Sequence, residues 1–304
     1  MIPISRRNFL KTASGAIAVG AIWKSAPMLH ANPLDLPLGL QLYSVRNQIA
    51  KDYDGTLRQV AAAGYKEVET AGYFGRSAAQ VKQAMDKAGL NCVSTHYSLA
   101  DLQPHLDEVL AFTKTLGVKY IICSSPSFSP SRVKSAGSDF KKVAENINLE
   151  DWKWNAEQFN KVGEKVKAEG MQFGYHNHTM EFREEKGVVP FEELLRLTNP
   201  KNVTIEMDCG WVAVAGRDPA EYLKRYPTRI SLLHIKDFKL SGPATVLNPP
   251  PSTELGRGTI DYHKIFEAAK GANIQHYFVE QEEFDMPAFE ALKIDAEYIQ
   301  SIKA

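Results

Sequence analysis

The sequence contains little cysteine and has no excess of charge of either sign. Its 304 residues include three cysteines, and 36 basic side chains balance 36 acidic ones. An odd cysteine count without CxxC spacing argues against a disulfide framework and against a thiolate metal site. Zero net charge likewise gives no support to a polyanionic partner such as nucleic acid. We expect Cys92, Cys123 and Cys209, which fall in or beside predicted strands, to be buried thiols.

The N-terminal segment carries an export-like pattern. Residues 5–11 read SRRNFLK, and a weakly apolar stretch follows at 13–23. The paired arginine before Phe-Leu-Lys resembles a twin-arginine export signal, and the apolar stretch is too short to span a bilayer. We expect an export signal at 1–31, a mature chain at 32–304 without stable membrane insertion, and a periplasmic or extracytoplasmic location. A basic amphipathic helix of a cytosolic protein is the alternative.

From residue 38 onward, short apolar runs alternate with longer helical patterns, which is typical of repeated βα units. Eight strands are predicted, at 38–43, 66–70, 91–96, 118–123, 171–176, 203–208, 230–236 and 276–280. Glycine follows several of the predicted helices in the manner of a C-cap, at Gly64, Gly89, Gly117, Gly170 and Gly271. Eight units favour a single-domain α/β fold, the (β/α)8 TIM barrel.

Four of the predicted strands end in polar residues spaced two apart. The pairs are His176 and His178, Glu206 and Asp208, His234 and Lys236, and Glu280 and Glu282. Residues i and i+2 of a strand point to the same face, and barrel active sites lie at the C-terminal ends of the strands. An open doubly wound sheet would gather ligands at only one or two switch points. The pairs therefore predict a divalent-metal enzyme site.

Our preferred metal ligands are one residue from each of strands five to eight, namely His176, Asp208, His234 and Glu280. Imidazoles and carboxylates without a thiolate suit manganese, cobalt, zinc or magnesium. Each residue alone is more often a capping or loop-orienting group, but four in consecutive strands weaken that reading. His178 is an alternative ligand to His176, a group that orients a substrate hydroxyl, or a partner of loop backbone.

Other strand-end residues have less specific roles. Lys236, which faces the same way as His234, is a candidate proton donor or base if burial beside a cation destabilises its ammonium. Glu206 is expected to form a structural hydrogen bond one layer deeper than Asp208, and Glu282 to fix a ligand or cap the last helix.

The opposite wall of the pocket is predicted to contain polar ends of the early strands. His96, Gln41 and Glu69 are candidates for substrate binding, with completion of a polar layer as the alternative for Gln41 and Glu69. Trp211 offers an aromatic surface to a sugar ring, or packs in the core. Two long connections, 124–151 and 238–259, are expected to wall the pocket, because long loops in compact domains are usually functional or disordered.

From residue 38 almost to the C-terminus, the chain resembles the xylose-isomerase-like TIM-barrel superfamily of sugar isomerases and epimerases. The segments that carry the resemblance include GLQLYSVR, YHNH, DCGW, HIKD, GRGTID and VEQE. Many members bind a divalent ion through Glu, Asp, His and Glu of strands five to eight. Asp208, His234 and Glu280 fit that pattern, whereas His176 stands where the first glutamate would be. The YHNH, HIKD and VEQE segments are closest to the inosose dehydratase branch.

The resemblance implies metal-assisted enolisation of a small carbohydrate. We expect an isomerase or epimerase acting through an enediolate on a sugar or keto-sugar, with Glu280, His176 or Lys236 as the base. The alternative is a metal-dependent lyase or hydratase acting on a keto-sugar, an inosose or a 3-keto-glycoside, which the histidine at 176 favours. A DNA endonuclease of the same fold would need a basic surface, and a non-catalytic sugar-binding module would bind without proton exchange. Homo-oligomerisation is left open.

Overall fold

The computed structural model describes residues 32–136, 139–245 and 247–302. The predicted export signal at 1–31 lies outside the described residues. Among the helices of those ranges, none is both long and apolar enough to cross a membrane. The three cysteines are free and buried, as the sequence predicts.

Eight parallel strands close into a barrel, which confirms the predicted fold. In chain order the barrel strands are β1 Gly39–Gln41, β2 Glu67–Thr70, β3 Asn91–Ser98, β4 Tyr120–Ser125, β5 Gln172–His176, β6 Val203–Asp208, β7 Ile230–Ile235 and β10 His276–Val279. Each strand pairs with its neighbour in the chain, and β10 closes the barrel against β1. Strands β8 Asp237–Phe238 and β9 Ser252–Thr253 form a separate antiparallel ribbon.

Helices connect the strands and pack outside them. Their bounds are α1 Arg46–Ile49, α2 Tyr53–Ala62, α3 Ala78–Ala88, α4 Leu99–Leu102, α5 Leu106–Leu116, α6 Pro130–Ala136, α7 Phe140–Asn146, α8 Leu149–Ala168, α9 Pro190–Leu197, α10 Cys209–Val214, α11 Pro219–Arg225, α12 Tyr262–Ala269 and α13 Ala288–Ser301. The segments Leu42–Val45 and Met180–Phe182 are 3-10 helices.

Helix ends follow the local sequence. Ser77 and Gln80 form a reciprocal capping box at the start of α3. Gly89 and Gly117 cap α3 and α5 with positive φ angles of 71° and 84°, as predicted. Gly64 and Gly170 directly follow the C-caps of α2 and α8 with positive φ angles of 110° and 80°. The prediction for Gly271 was wrong, because this residue follows the C-cap Lys270 of α12 without a positive φ.

The strand register brings the polar strand ends to one level of the barrel. Asp208 pairs with His234 across β6 and β7, and His176 pairs with Glu206 across β5 and β6. Two residues before His234 on the same strand, Leu232 packs with Phe278 in an apolar cluster. Because side chains on a strand alternate, this cluster fills the barrel interior on the N-terminal side of the polar groups.

The described parts of the two long connections contain regular structure and anchoring hydrogen bonds. The segment after β4 contains α6 and α7, and α8 begins at Leu149 with Asn148 as its N-cap. In the segment after β7, Asp237 accepts backbone hydrogen bonds from Gly256 and Gly258 at 3.0 and 3.1 Å, which anchors the GRG turn. Residues of both connections line a cavity beside Trp211, which agrees with the expectation that they wall the pocket.

Candidate metal centre

Four side chains at the C-terminal end of the barrel form what we call the ion cluster: His176, Asp208, His234 and Glu280. One potential ligand atom from each lies within 4.8 Å of the others, and all four residues are buried. His176 and Asp208 end β5 and β6, and Glu280 directly follows β10. The structure therefore brings together the four predicted ligands.

Three further side chains, the buried Glu69 and Glu206 and the largely buried His96, form a supporting cluster next to the ion cluster. His96 Nε2 lies 2.8 Å from Glu69 Oε2 and 2.7 Å from Glu206 Oε2. Burial opposes a charged imidazole, but the two carboxylates outweigh it and raise the pKa of His96 to about 9. Gln41 also donates to Glu69, at 2.8 Å.

His234 lies between the two clusters. Its Nε2 is 2.7 Å from Oε2 of Glu69, and its Nδ1 is 3.1 Å from Oε2 of Glu280. Although burial opposes the charge, the surrounding carboxylates, with Glu206 the strongest, hold the pKa of His234 well above its usual value. A carboxylate on Nε2 fixes the ring so that Nδ1 is the nitrogen presented to the ion cluster.

His176 is held in the same way as His234, except that Nδ1 is the nitrogen next to a carboxylate of the supporting cluster and Nε2 faces the ion cluster. Nδ1 lies 3.0 Å from Glu206 Oε2, and Nε2 faces Asp208 Oδ2 at 4.0 Å. Burial and then the neighbouring His234 hold the pKa of His176 well below its usual value. A neutral imidazole with its outer N–H held by a carboxylate is the form that binds a metal ion.

The surroundings of the Asp208 carboxylate indicate whether a metal ion fits between the four side chains of the ion cluster. Its Oδ1 accepts the backbone N–H of Trp211 at 2.8 Å, while its buried Oδ2 has no hydrogen-bond partner among the described residues. Burial, opposed by Lys236, raises the pKa of Asp208 to about 6. Metal–ligand bonds of about 2.0–2.2 Å place neighbouring donor atoms roughly 3–4 Å apart. The 4.0 Å separations from Asp208 Oδ2 to His176 Nε2 and His234 Nδ1 match that spacing.

A second group, formed by His96, His176, Glu206 and His234, also has converging ligand atoms. The contacts of Glu206 Oε2 in this group, to the three imidazoles, are only 2.7 to 3.3 Å long. Those separations are hydrogen-bond distances, so the group is already filled by its own contacts. The ion cluster is the better cation site because Asp208 Oδ2 makes no hydrogen bond within the described residues and lies 4.0 Å from both His176 Nε2 and His234 Nδ1.

Lys236 lies at the edge of the ion cluster and is only 1% exposed. Its Nζ is 2.8 Å from Glu280 Oε2, 2.6 Å from Glu282 Oε1 and 3.6 Å from Asp208 Oδ2. We expected burial to destabilise the ammonium. Burial does lower the pKa, but Glu280 and the other two carboxylates outweigh it and hold the pKa of Lys236 above its usual value. The side chain is thus a proton donor rather than a base in this arrangement.

Close backbone packing explains the glycine of the DCGW segment. A Cβ at Gly210 would lie 2.5 Å from the backbone oxygen of Lys236. Glycine therefore allows α10 to begin directly after Asp208 while β7 ends beside it. The same contact sets Lys236 Nζ 4.5 Å from the centre of the Trp211 ring.

His178 and Trp211 lie at the outer edge of the site. Their rings stack with centroids 6.1 Å apart, and His178 is 5.0 Å from the ring of His176. Within the described ranges, neither His178 Nδ1 nor Trp211 Nε1, both buried atoms, has a hydrogen-bond partner. Burial and the charge of Lys236 lower the pKa of His178 to about 3. Two polar nitrogens are thus left for a ligand beside the ion cluster.

The early strands contribute differently from the prediction. Gln41 and Glu69 are fully buried, and the side chain of His96 is 10% exposed. All three belong to the hydrogen-bond network that holds the imidazoles, which does not support the direct substrate contacts expected for Gln41 and Glu69. Glu206 has the structural hydrogen-bonding role predicted for it, and its Oε2 contacts three histidines, His96, His176 and His234.

Glu282 fixes Lys236 and does not cap the last helix. Its Oε1 lies 2.6 Å from Lys236 Nζ, whereas the N-cap position of α13 is Pro287. Glu282 was expected to fix a metal ligand or to cap the last helix. It instead holds Lys236, which lies beside Glu280 but is not one of the predicted ligands, and the capping alternative was wrong.

Comparison with known proteins gives a consistent result. The sequence profile of the family described as xylose isomerase-like TIM barrel matches residues 57–302. Among curated proteins, inosose dehydratase from Clostridium perfringens is 26% identical over 254 residues, which cover 77% of this chain and 83% of the relative.

Solved structures resemble the chain over most of its length. A sugar phosphate isomerase/epimerase from Parabacteroides distasonis is 28% identical with a TM-score of 0.69, covering 86% of this chain and 97% of the other. The IolI protein, solved with a bound zinc atom, has a TM-score of 0.66 over 86% of this chain and 96% of its own. At 16% identity the latter likeness is one of fold.

Proposed function

Since the chain belongs to the xylose isomerase-like TIM-barrel family, we propose that it is a divalent-metal-dependent enzyme that enolises a sugar or keto-sugar. The observation that carries the proposal is the buried Oδ2 of Asp208, which has no hydrogen-bond partner in the described part of the chain and lies 4.0 Å from a nitrogen of each neighbouring histidine. Manganese, cobalt, zinc and magnesium all suit a set of imidazoles and carboxylates.

The ion cluster would hold the cation through Nε2 of His176, Nδ1 of His234 and the carboxylates of Asp208 and Glu280. When bound, a divalent cation supplies a Lewis acid that makes the carbon-bound proton beside a carbonyl more acidic. Glu69 and Glu206 keep the outer N–H groups of the two histidines in place, at 2.7 and 3.0 Å.

Proton transfer is assigned to Glu280 and Lys236, which are 2.8 Å apart. Glu280 is ionised, because Lys236 and His234 outweigh burial and hold its pKa well below the usual value, so its carboxylate can accept a proton from carbon. Lys236 carries the proton that its carboxylate partners stabilise and can deliver it to a substrate oxygen. Return of the proton to carbon gives isomerisation or epimerisation.

Elimination of water is the second candidate function, and a specific observation favours it. Position 176 holds histidine, so the acid and base of the site are unlike groups, the carboxylate of Glu280 and the ammonium of Lys236. An elimination needs such a pair, because one group takes the proton from carbon as the other protonates the departing oxygen. The curated relatives named inosose dehydratase support the same outcome.

The test is metal-dependent exchange of carbon-bound hydrogen in heavy water. The protein, loaded in turn with each of the four ions, would be incubated with free ketoses, an inosose and 3-keto-glycosides, and followed by NMR and mass spectrometry. A product whose mass differs from that of the substrate only by the incorporated deuterium indicates isomerisation or epimerisation. A product lighter by one water indicates the lyase. Binding without exchange for every ion and substrate would contradict the proposal and indicate a binding module.

We also propose that the protein acts outside the cytoplasm, on the strength of the SRRNFLK segment. Replacement of Arg6 and Arg7 by lysine should leave the protein in the cytoplasm, as fractionation of cells would show. Unchanged export of that variant would contradict a twin-arginine signal.

A further inference from the structure

A cavity of about 200 Å³ adjoins the candidate metal centre on its outer side. Its lining combines side chains from four segments, among them Phe140, His178, Met180, Trp211 and Leu247. Most of the surface of this cavity is apolar or aromatic. A space of roughly 150 Å³ is enough to hold a benzene ring, so this cavity has room for one ring-sized group.

Two residues that line the cavity also lie beside the ion cluster or its neighbour Lys236. Trp211 lines the cavity and also lies under the Lys236 ammonium, 4.5 Å from Nζ to the ring centre. His178 lines the cavity with its ring 5.0 Å from that of His176. These two residues therefore place the cavity next to the ion cluster.

The C-terminal face of the barrel, where the cavity lies, carries exposed large apolar side chains. In the part of the chain that the structure describes, the large apolar side chains that are exposed are Tyr43, Phe74, Val133, Phe140 and Leu247. All five follow barrel strands, in the connections after β1, β2, β4 and β7, and so lie on the C-terminal face. Two of them line the cavity, where Phe140 also contacts the His178 ring at 4.9 Å.

The charge of the cavity does not suit a phosphate group. Lys141 is the only basic residue among the described residues that line it, and Glu145 offsets its charge. Phosphate recognition normally uses arginine clusters, helix N-termini or several backbone N–H groups. The buried nitrogens of His178 and Trp211 instead offer uncharged hydrogen-bonding groups at the inner end of an apolar space.

We propose that this cavity is a subsite for an uncharged, ring-sized substituent of the sugar, so that the substrate is a glycoside with an aromatic or similar apolar aglycone. The proposal rests on the function proposed above, because it assigns the sugar ring to the ion cluster. The substituent packs against Phe140, Leu247 and Met180. Nitrogens of His178 and Trp211 face the bond between sugar and substituent.

The experiment compares two probes that differ only in the substituent, phenyl β-D-glucopyranoside and methyl β-D-glucopyranoside. Their affinities would be measured by calorimetry on the metal-loaded and the metal-free protein, with glucose 6-phosphate as a third probe. We expect the phenyl compound to bind at least about tenfold more tightly than the methyl compound, since a ring removed from water contributes more than a methyl group. Equal affinities, or tightest binding of the phosphate, would overturn the subsite.

Two variants and a matched control test whether the preference for the phenyl compound arises in the cavity. Phe140→Ala removes one wall and Ala144→Phe fills the space, so each should reduce the phenyl preference to less than about threefold. Phe74→Ala removes an equally exposed phenylalanine of the same face that does not line the cavity, and should keep the preference. A preference that survives both cavity variants would contradict the proposal.

The same measurements separate this proposal from the proposed function. A phenyl preference that is present with and without metal supports the subsite even if heavy-water exchange fails, in which case only the proposed function is lost. Metal-dependent exchange with equal phenyl and methyl affinities keeps the proposed function and overturns the subsite.

Discussion

Asp208 Oδ2 lies 4.0 Å from His176 Nε2, and among the described residues no hydrogen bond satisfies that carboxylate oxygen. A buried carboxylate oxygen without a partner is costly, because the desolvation of the group is not compensated. A site that keeps such an oxygen between two imidazoles is therefore suited to a cation.

Asp208→Asn should abolish metal binding while preserving the fold. The amide retains an oxygen for the backbone N–H of Trp211 but loses the charge that an ion requires. We expect metal affinity to fall by more than about 100-fold, since even residues that only orient ligands contribute about 10- to 100-fold. Metal analysis after dialysis against a divalent-metal buffer, with a thermal melt of the metal-free protein, measures both effects.

The matched control for that variant is Asp52→Asn. Asp52 is also a helix N-cap, accepting from the backbone N–H of Gly55 at 2.9 Å, but it lies in the connection after β1 and outside the ion cluster. The Asp52→Asn variant should therefore have the metal content of the wild type. Full metal content in Asp208→Asn would show that the ion cluster is not the metal site.

Glu69→Gln should weaken metal binding without removing a ligand. Glu69 holds Nε2 of His234 at 2.7 Å, and a neutral amide fixes the imidazole less firmly than a carboxylate. We expect about a 10- to 100-fold loss of affinity, measured by competition with a chelating dye.

A glutamate two residues earlier on the same strand gives the control. Glu67 contacts Nδ1 of His276 at 2.7 Å, where β2 and β10 begin. Glu67→Gln therefore removes a comparable carboxylate–imidazole contact at the opposite end of the barrel and should keep the wild-type affinity. Equal losses in both variants would mean that Glu69 acts through general stability and not through His234.

The barrel and the four residues of the ion cluster could be predicted because each depends on a local pattern. Apolar runs mark the strands, and a polar residue at the end of a parallel strand faces the C-terminal side of the barrel whatever the details of packing. Asp208 and His234 are examples. The strand register of a barrel then brings such ends to one level.

The supporting cluster could not be predicted in the same way. The contact of His96 with Glu206 joins residues 110 positions apart and depends on which side chains meet across the barrel interior. The cavity beside Trp211 depends on how α7 and the segment around Leu247 fold over the barrel mouth. Periodicity assigns neither feature, because both arise from packing between distant segments.

Asp295→Asn should remove a pH dependence of stability. Asp295 is buried on α13, where its Oδ1 accepts the Leu255 N–H at 2.7 Å; in the described chain its Oδ2 has no partner. Burial, and then the charges of Glu254 and Asp237, raise the pKa of Asp295 to about 8. The folded protein thus keeps a proton that the unfolded chain releases near pH 4, so stability should fall as the pH rises from about 4 to about 8.

Thermal midpoints of the metal-free protein, measured between about pH 4 and about pH 8, show whether stability falls as the pH rises. The wild type should lose on the order of 5 kcal/mol over this interval relative to the variant, since each unit of pKa difference contributes about 1.4 kcal/mol. The variant retains the acceptor for Leu255 but cannot ionise. Asp107→Asn, an exposed position on α5, is the control and should follow the wild type. Parallel curves for wild type and Asp295→Asn would contradict the assignment.

Lys236→Gln should separate proton transfer from metal binding. The ammonium lies 2.8 Å from the same Oε2 of Glu280 that lies 3.1 Å from His234 Nδ1, so it competes with a cation for that oxygen. Its removal should leave metal affinity unchanged or higher, while exchange of carbon-bound hydrogen falls by about 10²- to 10⁴-fold through loss of the proton donor.

The metal-free form of Lys236→Gln should be destabilised by about 3 kcal/mol, since three carboxylates lose their shared cation, and metal should restore most of that loss. Lys264→Gln, which breaks an exposed pair with Asp218, should change neither property. Parallel loss of metal and exchange in Lys236→Gln would indicate that the lysine only maintains the site. The Lys236 ammonium and the metal cation share the carboxylate of Glu280. A lysine with a purely structural role could therefore not give a variant that keeps or gains metal affinity while it loses exchange of carbon-bound hydrogen.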